Sequence, residues 1–277
     1  MLNKKETEEI VREMIESERK AFDAVKKAEK EIAKLTEAVI DTINSGGRIF
    51  YVGAGTSGRV GVLDASEIPP TFNEKGLFVP VIAGGKDAVF EAREQAEDSA
   101  ESGGSDLRKE GFSRKDMAIG ISASGRTPYV IGALTFAKSI GAKTAIVACN
   151  DVRIPFADIH VITHTGEEFV KGSTRLNAGT AEKLILNIVS TVSMIKLGRT
   201  YDNLMVAVVP TNRKLISRAA EIVSQITGAS YEEALERVME TKDARIACLT
   251  IKKKISAEEA RNLLKKFNND FVKAYES

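Results

Sequence analysis

The feature that most constrains the fold is a set of four apolar runs, at residues 48–52, 78–83, 117–122 and 144–148. None alternates polar with apolar residues. Each ends in a loop of small residues and leads into a segment of helical periodicity. A fifth run, 159–163, is more polar. Strands covered by helices on both faces read in this way, because no solvent face remains to alternate with. Repeated strand–helix units connect by right-handed crossovers, so the pattern predicts an α/β chain, a three-layer αβα sandwich around a parallel five-stranded sheet.

Helical segments flank this sheet. Residues 5–44 read as one long N-terminal helix with an apolar stripe through Ile10, Val11, Met14, Ile15, Phe22, Val25, Ile32, Leu35, Val39 and Ile43, stopped by Ser45-Gly46-Gly47. So long a stripe needs a cover, from the rest of the chain or from a partner subunit. Residues 178–197 form a strongly apolar helix, either core or subunit interface. From 213 onward the pattern becomes three or four short amphipathic helices, at 214–226, 231–239, an ambiguous 244–251, and 257–267. Ser230 is the expected N-cap of the second. The organisation expected is an N-terminal helix (1–45), a sheet domain (46–212) and a small C-terminal helical appendage (213–277).

Composition excludes several function classes. Forty Lys and Arg balance 39 Asp and Glu for a net charge of +1, so the field of a dedicated nucleic-acid binder is missing. An anionic ligand must be held by local geometry instead. Cys149 and Cys248 lie far apart with no CxxC spacing, which argues against a disulfide framework or a zinc knuckle. With only His160 and His164 available, Ser-His-Asp hydrolysis and multi-histidine metal sites are disfavoured, and acid–base chemistry falls to carboxylates. The start of the chain has no signal-peptide apolar region, and no run approaches the roughly 18 residues of a membrane span. A cytoplasmic protein without membrane or nucleic-acid partners is expected.

Open parallel sheets bind ligands at the carboxyl ends of their strands. Two loops at such ends are rich in Gly, Ser and Thr: Gly53-Ala54-Gly55-Thr56-Ser57-Gly58 and Ser122-Ala123-Ser124-Gly125-Arg126-Thr127, the latter followed by Pro128, suited to a first helical turn. Small residues such as Gly55 and Gly125 let backbone wrap a phosphate. N–H groups at the next helix N-terminus donate to it, and the hydroxyls of Thr56, Ser57, Ser122, Ser124 and Thr127 add donors. The first loop lacks the Lys of a P-loop. It matches GxGxxG, yet no acidic residue ends the next strand to hold a ribose.

GAGTSG paired with SASGRT resembles the sugar isomerase (SIS) domain, whose loops hold phosphosugars. The longer strings GAGTSGRVGVLDASEIPPTF, AGGKDAVFEAREQAEDS, SASGRTPYVIGAL, GSTRLNAGTAEKLILN and GRTYDNLMV resemble the N-acetylmuramic acid 6-phosphate etherase family, from about residue 45 to the C-terminus. The regulatory protein of glucokinase is a distant non-catalytic relative. The resemblance implies a carbon–oxygen lyase that yields N-acetylglucosamine 6-phosphate and D-lactate as a homodimer, with neither metal nor cofactor. It implies that Glu67 is the catalytic acid and Glu97 a second active-site carboxylate, and that Glu168 with Ser173-Thr174-Arg175 forms a loop closing over the sugar. Arg175 would then meet a carboxylate such as the lactyl group, or else form a plain salt bridge. Ile68, Ser122 and Asn177 depart from the family's usual Cys, Ala and Lys, and members carry a further stretch ahead of the first long helix.

Without that resemblance, Glu67 reads as a surface residue ending a helix before Pro69-Pro70. Glu97 likewise reads as part of a solvated face in an acidic helix (Glu91, Glu94, Glu97, Asp98, Glu101). A straight helix from Ser57 would put Glu67 roughly 15 Å from the phosphate cradle at about 1.5 Å per residue, beyond the reach of a hexose 6-phosphate. Either the helix breaks near Gly61 or Glu67 serves a sugar bound by the neighbouring subunit, and a shared dimeric site is the expectation. The alternatives in the same fold are an amino-sugar-phosphate isomerase and a non-catalytic phosphosugar sensor. The carboxylate pair favours the lyase, since a sensor needs the cradle but no acid–base pair.

Overall fold

In the computed structural model, which describes residues 1–277, five parallel strands form one sheet. They are β1 (Ile49–Gly53), β2 (Phe78–Ile82), β3 (Met117–Ile121), β4 (Lys143–Ala148) and β5 (Ile159–Ile162), in the order β2-β1-β3-β4-β5. Every residue of β1 and β3 is buried, whereas the edge strands β2 and β5 are partly open. The unalternating sequence of the central runs has this cause.

Helices cover both faces. Phe50, Val52, Ala118, Ile146 and Ala148 pack with Leu107 of α4 (Ala100–Lys109) and with Tyr129, Val130, Ala133 and Leu134 of α5 (Pro128–Ser139). On the other face Tyr51 and Ile121 lie under Gly61 of α3 (Gly55–Phe72). The three-layer α/β expectation therefore holds. Between α4 and α5 the backbones nearly touch. A Cβ on Gly103 would sit 2.0 Å from Tyr129 O, and one on Gly132 would sit 1.9 Å from Ala100 O.

The N-terminal segment is two helices, not one. α1 (Thr7–Lys27) and α2 (Glu29–Asn44) meet at Ala28, whose N–H bonds Val25 O at 3.0 Å in a tightened turn. α2 buries Ile32, Leu35, Val39 and Ile40, while α1 buries Ser17, Ala21, Ala24 and Val25. Val11, Ile15 and Phe22 of α1 are 52%, 63% and 62% exposed on one face. No Gly or Pro marks the break, so periodicity alone gave no sign of it.

Two compact units divide the chain, Met1–Ser66 with Gly76–Ser190, and Glu67–Lys75 with Thr191–Ser277. The second has its own core around Val206, Ala219, Val223, Ala234, Leu249 and Phe271. Its helices are α7 (Arg213–Thr227), α8 (Tyr231–Thr241), α9 (Ala244–Lys253), α10 (Ala257–Lys266) and α11 (Phe271–Glu276). Asn212, Ser230, Asp243, Ser256 and Asp270 each cap one of them through a side-chain oxygen, which explains how such short helices end cleanly. The ambiguous stretch is helix α9, and α11 was not anticipated, being only six residues long.

Candidate active site

The order β2-β1-β3 places the strand-order reversal between β1 and β3, where open α/β sheets open a crevice. Gly53, the last residue of β1, is the register partner of Ile121, the last of β3. The two hydroxyl-rich loops therefore leave the sheet side by side. In the first, Gly53 and Gly58 are pressed together: a Cβ on Gly53 would lie 2.6 Å from Gly58 N. Gly55 takes φ +52°, a left-handed conformation that a side chain would strain. Gly55 is exposed, Thr56 half-buried and Ser57 buried.

In the second loop Ser122 is buried and its Oγ lies 2.8 Å from Thr127 Oγ1 and 3.4 Å from Ser124 Oγ. Ser124 is exposed and accepts from Arg126 N at 3.1 Å, while Gly125, at φ +66°, donates its N–H to Ser122 O. Asn150 Nδ2 donates to Ala123 O at 3.1 Å and pins the loop to the end of β4. Thr127 is the N-cap of α5 but spends its hydroxyl on Ser122, and Pro128 fills the first turn. The first N–H groups of α5 are left without a side-chain cap.

Against the first loop stands α6 (Asn177–Lys196). Ser57 Oγ is hydrogen-bonded to Glu182 Oε1 at 2.8 Å, and Glu182 is fully buried with Oε2 unpartnered. Burial pushes its carboxyl up to about 8; the Ser57 bond opposes the shift and the nearby Glu168 carboxylate adds to it. Further along the same pair of helices, Asp64 Oδ1 accepts from Asn187 Nδ2 at 2.6 Å and from Ser190 Oγ at 3.0 Å. Burial raises the Asp64 carboxyl above the usual range, against these two hydrogen bonds. Its Oδ2 and the Tyr51 hydroxyl beneath are unpartnered.

The α6 N-terminus is closed by a carboxylate of the chain itself. Glu168 Oε2 accepts from Asn177 N at 2.8 Å and Oε1 from Ala178 N at 3.1 Å, a charge-assisted cap favoured by the helix dipole. Helix α1 fastens the same turn through Ser17 to Asn177, and Glu18 accepts from Thr180 Oγ1 at 2.7 Å. Ser173 is half-buried, and Arg175 is exposed beside it.

Glu67 and Glu97 are both exposed. α3 runs unbroken from Gly55 to Phe72, so the helix neither breaks at Gly61 nor ends before Pro69-Pro70. Its stop is Asn73, in the left-handed conformation at φ +57°. Glu97 lies in a 3₁₀ turn (Glu94–Asp98), not in an acidic helix, because Ser99 starts α4 afresh by accepting from Ser102 N. Arg59 of α3 donates to Val89 O at 3.0 Å and to Glu91 O at 3.2 Å, tying down the segment that leads to Glu97. His160 Nε2 meets the Ile154 backbone, and His164 lies 3.5 Å from Asp151.

The N-terminal SIS domain model of glucokinase regulatory protein matches residues 31–138. An N-acetylmuramic acid 6-phosphate etherase of Francisella philomiragia is 45% identical over 277 residues, 99% of this chain and 94% of that one. Its counterpart in Clostridium beijerinckii is 46% identical, over 99% of this chain and 91% of the other. This chain belongs to the N-acetylmuramic acid 6-phosphate etherase family. A phosphoheptose isomerase of Francisella tularensis shares the fold, with a TM-score of 0.52 over 69% of this chain and 100% of the other, at 15% identity.

Ile68, Ser122 and Asn177 are each accommodated locally. Ile68 is buried, the Ser122 hydroxyl is taken up by Thr127, and Asn177 is buried between Ser17 and Glu167 O. Residue-by-residue reading missed Glu182 and Asp64. Glu182 falls on the stripe of Ala178, Ile185 and Val189, and Asp64 on that of Gly61, Ala65 and Ile68. An acid on the buried stripe of an apolar helix was the available signal.

Proposed function

We propose that this chain is a carbon–oxygen lyase that cleaves the D-lactyl ether of N-acetylmuramic acid 6-phosphate to N-acetylglucosamine 6-phosphate and D-lactate. The observation that carries this reading is the emergence of two hydroxyl-rich loops from the register-paired Gly53 and Ile121, in a chain of the etherase family. In this reading Gly55, Thr56, Ser57, Ser122, Ser124, Gly125 and Thr127 hold the 6-phosphate, together with the N–H groups that open α5. Ser173 and Arg175 meet the sugar and its lactyl carboxylate. Glu168 holds the α6 N-terminus beside them.

The chemistry runs in two halves. A base removes the C2 proton beside the C1 aldehyde of the open-chain sugar. The C3–O bond then breaks, and an acid protonates the departing lactate oxygen. Water adds at C3 of the unsaturated intermediate and the C2 proton returns. Glu67 and Glu97 supply the acid and the base. Both are solvated in the single chain, and about 15 Å of unbroken helix separates Glu67 from Ser57. A homodimer resolves both points: the partner subunit covers the carboxylates, and Glu67 serves the sugar held by its neighbour. The exposed stripe of Val11, Ile15 and Phe22 supplies apolar surface for such a partner. No helix is long and apolar enough to cross a membrane, and the reaction belongs in the cytoplasm, in the recycling of peptidoglycan sugars.

Incubation with N-acetylmuramic acid 6-phosphate in ¹⁸O water tests the reading. Elimination and hydration put ¹⁸O on C3 of the sugar. Absence of lactate overturns the activity, and label on lactate instead indicates displacement at the lactyl carbon.

A further inference from the structure

Ser57 has one hydroxyl proton, and two claimants for it. On one side lies the phosphate crevice. On the other, Glu182 Oε1 stands 2.8 Å from Ser57 Oγ. α6 is seated hard against this loop: one turn before Glu182, a Cβ on Gly179 would lie 3.2 Å from Thr56 Cγ2. The direction of the Ser57–Glu182 hydrogen bond therefore decides what the cradle shows to a ligand.

We propose that Glu182 is a positioning residue for phosphate binding: protonated, it donates to Ser57 Oγ and turns the Ser57 hydroxyl proton towards the ligand, whereas ionised it takes that proton and leaves the ligand facing lone pairs. This rests on the phosphosugar reading of the cradle. An ionised carboxylate only accepts, so Ser57 must then donate to it. Glu182 Oε2 has no partner. On an ionised group that oxygen is a buried charge without a hydrogen bond, whereas on an acid protonated at Oε1 it is a neutral carbonyl oxygen, far cheaper to leave alone.

The surroundings favour the neutral acid. Glu168 faces it from the loop ahead of α6, and Cys149 from the end of β4, its thiol pushed up to about 12 by burial and by Glu182 itself. Glu18 of α1 is engaged by Thr180, and Lys183 of α6 is exposed. A bound phosphate dianion adds another negative charge and strengthens the same preference. Below about pH 8 the acid is already protonated. Above that, binding takes one proton from solvent; no covalent bond other than this O–H changes.

The test is calorimetric binding of N-acetylglucosamine 6-phosphate to the full chain from pH 6.5 to 9.5, in buffers of different ionisation enthalpy. Wild-type affinity is expected to stay flat to about pH 7.5. It should then weaken towards tenfold per pH unit, with proton uptake approaching one per site. In E182Q the amide N–H donates to Ser57 permanently, so affinity should stay within a few-fold of wild type at pH 7 and remain flat to pH 9.5. Flat wild-type binding, or an E182Q profile that falls like wild type, overturns the assignment of Glu182. If E182Q does not fold, S57A decides: weaker binding at pH 7 with no pH dependence supports the proposal, and a wild-type pH profile overturns it. Wild type that binds neither this sugar phosphate nor inorganic phosphate at any pH overturns the cradle itself.

Discussion

Ser57 on α3 and Glu182 on α6 share a 2.8 Å hydrogen bond inside the protein, 125 residues apart in the chain. The bond joins the Gly53–Gly58 loop to a carboxyl whose buried position raises it from 4.5 to about 8. That shift has a consequence for stability as well as for binding. A carboxyl raised in the folded state binds a proton that the unfolded chain releases at about 4.5. Its stabilising contribution is thus complete below that value and is lost as pH rises to about 8. Urea unfolding at pH 5, 6.5 and 8.5 should show stability declining across this window by on the order of a few kcal/mol. E182Q, which cannot ionise, should flatten the decline. An equal decline in E182Q would assign it to other groups.

The seam between α4 and α5 depends on glycine for space, not for conformation. G132A would drive a methyl into Ala100 O, and G103A into Tyr129 O, both at about 2 Å. Neither backbone carbonyl can swing away as a side-chain tip can. Each substitution is expected to lower unfolding free energy by about 1–3 kcal/mol or more. Chemical denaturation measures it, and a loss below about 0.5 kcal/mol would mean that the helices part easily.

Legibility in the sequence follows physical rules that particular residues make plain. β1 and β3 were readable because both faces are buried and every position from Ile49 to Gly53 is small or apolar. The loop hydroxyls Ser57, Ser122 and Thr127 were readable because they sit beside glycines at strand ends. The break at Ala28 was not, since neither Gly nor Pro marks it and the apolar stripe continues on both sides. Nor was the end of α3, since Pro69-Pro70 are tolerated within a helix that Asn73 finally stops. Glu182 was hidden by its own setting. A stripe read only for its apolar members passes over the acid among them, and the partner that gives it meaning, Ser57, is distant in sequence.

In the proposed reading, Arg175 meets only one of the two anionic ends of the substrate. Exposed beside the α6 N-terminus, it is assigned to the lactyl carboxylate and not to the phosphate. R175A should raise KM for N-acetylmuramic acid 6-phosphate by roughly 10- to 100-fold, the worth of about 1.5–3 kcal/mol for a charge-assisted bond. It should leave binding of N-acetylglucosamine 6-phosphate, which has no lactyl group, within a few-fold of wild type. Equal losses for both sugars would move Arg175 to the phosphate or to the fold.

The unbroken course of α3 from Gly55 to Phe72 makes the shared site testable by complementation. E67Q removes an acid while keeping the cradle; S124A combined with T127A weakens the cradle while keeping the acid. Each variant alone should be close to inactive. If Glu67 serves the sugar held by the partner subunit, co-refolding the two in equal amounts makes half of the dimers mixed. One of the two sites in each mixed dimer pairs an intact cradle with an intact Glu67. Lactate release should then recover to about a quarter of wild type. If both groups instead served the same subunit's sugar, each mixed dimer would carry one defect in each site, and mixing would restore nothing.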